Sequence, residues 1–436
     1  MRIFVACALI AVLGPAAAGA EPAEFFRKGP YLQHEAADAV VVVWEGTGAR
    51  AGEVELLDTG KIVRVEPAVR HKVRIDGLTP GERYRYEVRA GDNVARGQLQ
   101  APPPTDAPIA FAVFGNTRQD ERVHRLIASR VRGQRPDFLL GTGNMVSDGL
   151  SEHDWNRFFA IQRELLRDTP LVPALGRHDL QGRRRSAEHV QEFFVLPEGA
   201  PTAGRYHALS YGPARIVVLD SNERQHALSE QTRWLERELA AARADDEIER
   251  IFVVSHHAPY SVGLYGGDER IRDAWAPLFE QHGVDAVFSG HDHVYSRAEA
   301  GGVRYFVTGG GGAPLYRRDR QADHASQEAI RHFESVHHYL RVDVGGGLVE
   351  VSAVRLDGTL IETVRWGEPT SPGPSLAAEV EAFLTPPAPP APVATAPASA
   401  AAEGPRHRGR LGLGWLGVGL AVAGGGALAW TLRRQG

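Results

Sequence analysis

Between residues 28 and 102 the chain carries short β-branched or alternating runs at 40–44, 54–57, 73–75 and 83–88, with turn residues such as Thr79-Pro80-Gly81 between them. This spacing predicts a small antiparallel β-sandwich. Ala101-Pro102-Pro103-Pro104 then reads as a stiff linker. From Ile109 the pattern changes: apolar strands at 109–114, 138–140, 171–174, 216–219, 251–255 and 286–289 alternate with helical stretches. One such stretch places Val123, Leu126, Ile127 and Val131 on one face. Strands alternating with helices predict an α/β core.

The two ends of the sequence follow other patterns. Met1-Arg2, an apolar run over 3–13 and Ala18-Gly19-Ala20 before Glu21 read as a secretory signal peptide. Residues 411–432 contain no charged side chain, are flanked by arginines and carry Trp415 and Trp430 near their edges. About 20 such residues suffice for a transmembrane helix. A cleaved sorting tail is the other reading of this glycine-rich run. The Pro/Ala tract at 386–402 cannot bury a core and reads as a tether. The expected location is the cell envelope, with the body outside the cytoplasm and held at a membrane by the C-terminal helix.

Composition narrows the chemistry. Lys+Arg number 49 against 54 Asp+Glu, so no basic excess favours nucleic acid, and none is expected as a partner. Six of the arginines lie outside 21–402, which makes that body more acidic still and a poor long-range attractor of anions. The single cysteine, Cys7, falls in the signal segment, so neither a disulfide framework nor a cysteine metal site is expected.

The polar residues are placed informatively. Asn116, Asn144, Arg177 with His178, His256 with His257, and His291 with His293 each follow directly on an apolar strand. Layered α/β folds bind ligands at strand carboxyl ends. The ordered stations Gly115-Asn116, Gly143-Asn144, Gly176-Arg177-His178-Asp179, Ser255-His256-His257 and Gly290-His291-Asp292-His293 resemble the calcineurin-like metallophosphoesterases, and within them the purple acid phosphatases. Gly29-Pro30-Tyr31-Leu32-Gln33, Trp44 and Leu78-Thr79-Pro80-Gly81 resemble that family's N-terminal fibronectin-type domain, and Gly309 to Tyr316 its late glycine-rich loop.

After the signal peptide (1–20), the resemblance implies a fibronectin type III-like domain (21–104) and a metallophosphoesterase-type layered α/β/β/α sandwich (105–367). A Pro/Ala-rich linker (368–410), the transmembrane helix (411–432) and a short basic tail (433–436) complete the expected organisation. It also implies a phosphate ester, or another anionic small molecule, as ligand. In the family two metals are bridged by an aspartate, and a metal-bound hydroxide attacks phosphorus. Here the first aspartate position is Asn116, the bridging position Asn144, the tyrosine position Ser147, the asparagine position Arg177, and a later substrate histidine position Tyr265.

The positions retained are His291, His293 and one of His256 and His257 as metal ligands, with His178 as the catalytic contact to substrate or leaving group. His256 ends its strand, whereas the spacing to Pro259 suits His257. Asparagine cannot bridge two cations as a carboxylate does. Arg177 adds a fixed positive charge; two unit charges 4 Å apart repel by about 4 kcal/mol at an effective dielectric of 20, and a divalent ion doubles that. A full binuclear centre is therefore not expected, and ordinary hydrolysis is doubtful. Two readings remain. One is an altered enzyme with a single Zn-, Fe- or Mn-like ion on His256, His291 and His293. The other is an inactive pseudophosphatase in which Arg177 and Arg118 hold an anion, or the pocket docks a protein.

Overall fold

The computed structural model describes residues 25–369 apart from 37, 181–186, 196, 198–200, 202–204 and 224–225. The signal segment, the Pro/Ala tether and the 411–432 run lie outside the described residues. Among those described, no helix is long and apolar enough to cross a membrane.

The N-terminal strands are β1 (Phe26–Ala36), β2 (Ala39–Leu56), β3 (Lys61–Ile75), β4 (Arg83–Ala90) and β5 (Asn93–Gln100). Here the structure differs from the expected two-sheet sandwich. All five belong to one antiparallel sheet joined through the long β2, which pairs with β3 along its length, with β1 over its first half and with β4 over its last four residues. Its register with β3 is irregular between Glu45 and Gly52, which separates the half that pairs with β1 from the residues that pair with β4. The chain closes its own core instead, around Trp44, Val54, Val73, Tyr86 and Leu99.

From β6 (Ile109–Phe114) the order is α1 (Glu121–Gly133), β7 (Phe138–Gly141), α2 (Glu152–Leu166), β8 (Leu171–Pro173), α3 (Glu188–Phe193), β9 (His207–Tyr211) and β10 (Ala214–Val218). Then come α4 (Glu230–Ala244), β11 (Arg250–Ser255), α5 (Glu269–Gln281), β12 (Ala286–Ser289), β13 (Tyr295–Ala300) and β14 (Val303–Thr308). The last elements are α6 (His324–Ala329), β15 (Ile330–Glu334), β16 (His338–Gly345), β17 (Leu348–Arg355) and β18 (Leu360–Gly367). They build a six-stranded sheet, β18-β17-β16-β6-β7-β8, and a seven-stranded sheet, β15-β13-β14-β12-β11-β10-β9.

Strand periodicity explains the layering. On β6, Ile109, Phe111 and Val113 face Ile216, Val218, Phe252, Val254 and Phe288 of the other sheet. Its alternate residues Ala112 and Phe114 pack against α1 and α2 through Ile127, Val131, Trp155 and Phe159. On β11 the outward Ile251 and Val253 pack against Leu235, Leu239 and Trp275 of α4 and α5. Both faces of both sheets are thus apolar, which gives the α/β/β/α order. The helices start where expected: Asp120, Ser151, Ser229 and Asp268 each accept a backbone N–H of their own first turn.

The N-terminal sheet is tied to this body. Lys28 of β1, fully buried, donates to Glu45 at 2.7 Å and to Glu152 of α2 at 2.5 Å. Tyr86 donates to the Arg167 carbonyl at 2.8 Å. These residues fall in one compact unit.

At the strand ends the chain turns sharply, and one carboxylate organises two of the turns. Asp179, wholly buried, accepts the backbone N–H groups of Asn144, Met145, Val146 and Gly176 at 2.7–3.2 Å. Burial pushes its carboxyl up to about 6, against the pull of those four donors, so at neutral pH it is ionised and acts as an acceptor only. Asp179→Asn puts amide hydrogens against N–H donors. We predict a loss of about 3 kcal/mol in urea unfolding at pH 7; a loss below about 0.5 kcal/mol would contradict this role.

Candidate functional site

Five loops leave the carboxyl ends of β6, β7, β8, β11 and β12 and carry, in order, Asn116, Asn144, Arg177 with His178, His256 with His257, and His291 with His293. Three of these residues adopt left-handed backbone: Asn116 at φ +54°, Asn144 at +55° and His291 at +63°. Non-glycine residues rarely sit there, asparagine most readily. Beside Asn144, Gly143 has φ +88°, and a Cβ would stand 2.5 Å from the Gly176 nitrogen and 2.9 Å from His256 Nδ1. The glycine is what lets the second turn press against the third loop and the histidine.

The two asparagines brace this arrangement. Asn116 Oδ1 accepts the His291 N–H at 3.2 Å, and Asn144 Oδ1 accepts the His178 N–H at 3.1 Å. Those acceptor roles fix the amide orientation, and Asn116 Nδ2 is left buried without a hydrogen-bond partner. An amide N–H is a donor and repels a cation.

The histidines divide into two groups. Ligand nitrogens of His256, His257 and His291 lie within 4.8 Å of one another. His256 is fully buried; its Nδ1–H donates to the Thr142 carbonyl at 2.8 Å, so Nε2 carries a bare lone pair. His257 Nδ1 meets Ser221 Oγ at 2.8 Å, and the His291 ring stacks on Tyr265 at 4.3 Å. The alternatives left open by the sequence are not exclusive, since both His256 and His257 join His291.

His293 does not join that cluster. Its Nδ1–H donates to the Pro314 carbonyl at 2.6 Å, its ring stacks on Tyr316 at 4.1 Å, and its Nε2 faces Arg118 Nη2 at 3.5 Å. Of the expected set His256, His291 and His293, the first two lie together with His257, whereas His293 stands apart with Arg118 at its Nε2. Burial lowers the pKa of every one of these rings, to about 3 for His291, about 4 for His293 and well below the usual value for His256. All are neutral at pH 7.

Arg118 and Arg177 differ in kind. Arg118 is half-buried, its Nε has no hydrogen-bond partner, and it forms no ion pair among the described residues. Arg177 is exposed, so solvent screens the repulsion that its sequence position suggests. His178 donates through Nδ1 to the Ser147 carbonyl at 2.8 Å, and its Nε2 is buried without a partner. Ser147 thus contributes its backbone oxygen to the site.

A two-metal centre needs hard carboxylates, and the carboxylates here are committed elsewhere. Asp179 holds four N–H groups. Asp292 accepts Ser261 Oγ at 2.6 Å and the Tyr265 N–H at 2.9 Å, which sets the loop bearing Tyr265. Asp220 binds Arg205 at 2.5 Å. With Asn116 turning a donor toward neighbouring space and Arg118 at His293, the residues present do not fit the paired ions. Sequence reasoning missed the positioning roles of Asp179, Asp292 and Ser221; the acids were visible inside the third and fifth stations, but nothing local distinguishes a bracing carboxylate from a ligand.

Comparison with known proteins agrees with this architecture. Residues 90–295 match the calcineurin-like phosphoesterase family. An uncharacterised protein of Mycobacterium tuberculosis is 27% identical over 272 residues, 53% of this chain and 51% of that protein. Purple acid phosphatase 22 of Arabidopsis thaliana is 27% identical over 236 residues, 52% and 53% of the two chains. The chain thus spans about half the length of these curated relatives. A purple acid phosphatase structure from yellow lupin (Lupinus luteus) seeds superposes with a TM-score of 0.68 at 14% identity, covering 80% of this chain and 78% of that one. Residues 90–295 are thus similar to the calcineurin-like phosphoesterases, with purple acid phosphatases among the similar proteins and a purple acid phosphatase structure sharing the layered fold.

Proposed function

We propose that this protein is an exported, membrane-anchored relative of the purple acid phosphatases that has lost ordinary two-metal hydrolysis and binds a phosphate-type anion. The anion would be a phosphate ester or inorganic phosphate. Export and anchoring rest on the 1–20 and 411–432 sequence patterns. The observation that carries the binding reading is Arg118: a half-buried guanidinium with no carboxylate partner among the described residues, directed at His293 Nε2.

Guanidinium recognises phosphate through two parallel N–H donors and holds its charge at any physiological pH. Arg118 supplies in this reading the positive charge that a metal supplies in the family. Asn116 Nδ2 and Arg118 Nε are unpaired donors, and His178 Nε2 is an unpaired acceptor. A neutral His178 accepts a hydrogen bond at Nε2 from a hydroxyl of the anion and orients it, but has no proton at Nε2 to give to a leaving group. Burial, then the neighbouring Arg118 and Arg177 charges, keep this ring neutral. The fold alone does not oppose a binding role, since function lives in the site.

Calorimetry with inorganic phosphate on chelator-treated protein tests this reading. Binding survives chelation, Arg118→Ala weakens it roughly 10- to 100-fold, and the exposed Arg177→Ala weakens it less than about threefold. Binding that vanishes with chelator, or Arg118→Ala without effect, would contradict it. Two ions per chain with phosphomonoester turnover would overturn the loss of hydrolysis.

A restoration series tests the charge argument. Asn116→Asp, Asn144→Asp and Arg118→Gln combined return carboxylates and free His293, so elemental analysis rises to two ions per chain and hydrolysis becomes measurable. Arg177→Asn alone changes neither. A folded triple variant that holds no additional ion would show that the deciding groups lie elsewhere.

A further inference from the structure

We propose that a second cleft, lined by arginines where the N-terminal sheet meets α1 and α2, binds a ligand that carries several linked phosphate groups. The cleft lies away from the rim. Its wall includes Asp137 and Pro170, the residues just before β7 and β8, so it opens at the amino ends of the strands whose carboxyl ends carry Asn144 and Arg177. The proposal therefore holds whether or not Arg118 binds an anion.

Charge is the first argument. The body of the chain is acidic, yet six arginines line this one cavity of about 950 Å³: Arg83, Arg85 and Arg96 from β4 and β5, and Arg132, Arg135 and Arg167 from the ends of α1 and α2 and just beyond. Basic residues complement a helix C-terminus, which accounts for Arg132 and Arg167 but not for the three on the sheet. A cavity of about 380 Å³ shares Arg96 and Arg167 and adds Arg163, so the positive surface continues along the edge strand β5.

The commitments of these arginines are the second. Arg85 pairs with Asp58 at 2.7 Å and Arg96 with Glu87 at 2.6 Å, whereas Arg132 reaches Glu164 and Asp168 only at 3.5 and 3.8 Å. Arg83 donates to the neutral Gln100 Oε1 at 2.8 Å. Neither Arg83 nor Arg135 forms an ion pair among the described residues. Arg167 pairs with Glu164 through Nη2, but its Nε is buried without a hydrogen-bond partner. A buried, bare donor is costly, and a ligand oxygen satisfies it. Arg135 follows the cap of α1 at φ +47°, a position where glycine or asparagine is relaxed. That strained position carries a cation.

The walls also select the ligand. Asp137 and Asp168 each spend an oxygen on a backbone N–H, of Ala110 at 2.7 Å and of Gln98 at 2.9 Å, and their charges face any anion that enters. A carboxylate ligand would only match those charges. A phosphate chain brings charge on every unit, with oxygens for paired guanidinium contacts on both walls. Tyr86 is the one aromatic residue of the lining among the described residues and is wholly buried, so no ring is offered on which a nucleobase could stack.

Calorimetry of tripolyphosphate on the chelator-treated full chain carrying Arg118→Ala tests the cleft apart from the rim. One tripolyphosphate per chain is expected, bound more tightly than inorganic phosphate and weakening as ionic strength rises. Arg83→Gln and Arg135→Asn, both at exposed positions, each weaken it roughly 3- to 10-fold, and together they weaken it further. Asparagine tolerates the left-handed backbone at 135, so that variant folds, as an unchanged thermal melt would record. Arg233→Gln, at an exposed position on α4, leaves the affinity unchanged. No binding in the Arg118→Ala chain, unchanged affinity in both cleft variants, or inorganic phosphate held as tightly as tripolyphosphate would overturn the proposal. Poly-glutamate bound more tightly than tripolyphosphate would overturn it in favour of an acidic peptide.

Discussion

The apolar layer between the two sheets is the constraint on which the site depends. Phe111 of β6 packs on Phe138 of β7 at 4.8 Å and meets Phe252 of β11 and Phe288 of β12 edge-on at 5.3 and 6.1 Å. These four strands carry the loops bearing Asn116, Asn144, the histidine pair and His291. Locking their inward rings together places their carboxyl ends on one rim, within reach of one another. The left-handed turns at Asn116, Asn144 and His291 cost energy, and they persist because packing below and hydrogen bonds between loops determine them together.

Charge then decides what such a rim can hold. The family solution uses carboxylates to balance two cations, whereas here the positions are amides whose oxygens brace neighbouring loops. The remaining acids hold backbone N–H groups or arginine. What is left is a half-buried guanidinium beside one histidine and a cluster of three other histidines, all neutral. The same rim thus presents one fixed organic cation beside one histidine and, apart from it, a cluster of neutral imidazoles.

Much of the layered fold was legible because both of its signals are local. The alternation in 109–114 and 251–255 marks strands with two apolar faces, and the polar residue after each strand marks the rim. The N-terminal sheet was legible as β-structure, but its form was not: nothing in the run 39–56 announces that one strand serves both halves of the sheet. At the site, the losses at Asn116 and Asn144 were plain from residue identity. The partition of histidines was not, because whether His256 or His257 lies beside His291 depends on how the loops place their rings, and both do. The weight given to Arg177 also changed, since exposure is a property of the loop rather than of the residue type.

The central claim we propose is that Arg118 supplies at this rim the positive charge that a metal supplies in the family, beside a separate cluster of three histidines. Anomalous diffraction at the zinc edge, from crystals of the protein equilibrated with Zn2+, tests it most directly. The account predicts no peak at His293, with Arg118 still beside it, and any bound ion at His256, His257 and His291. Two peaks sharing Asn144, or a peak bonded to His293, would contradict it.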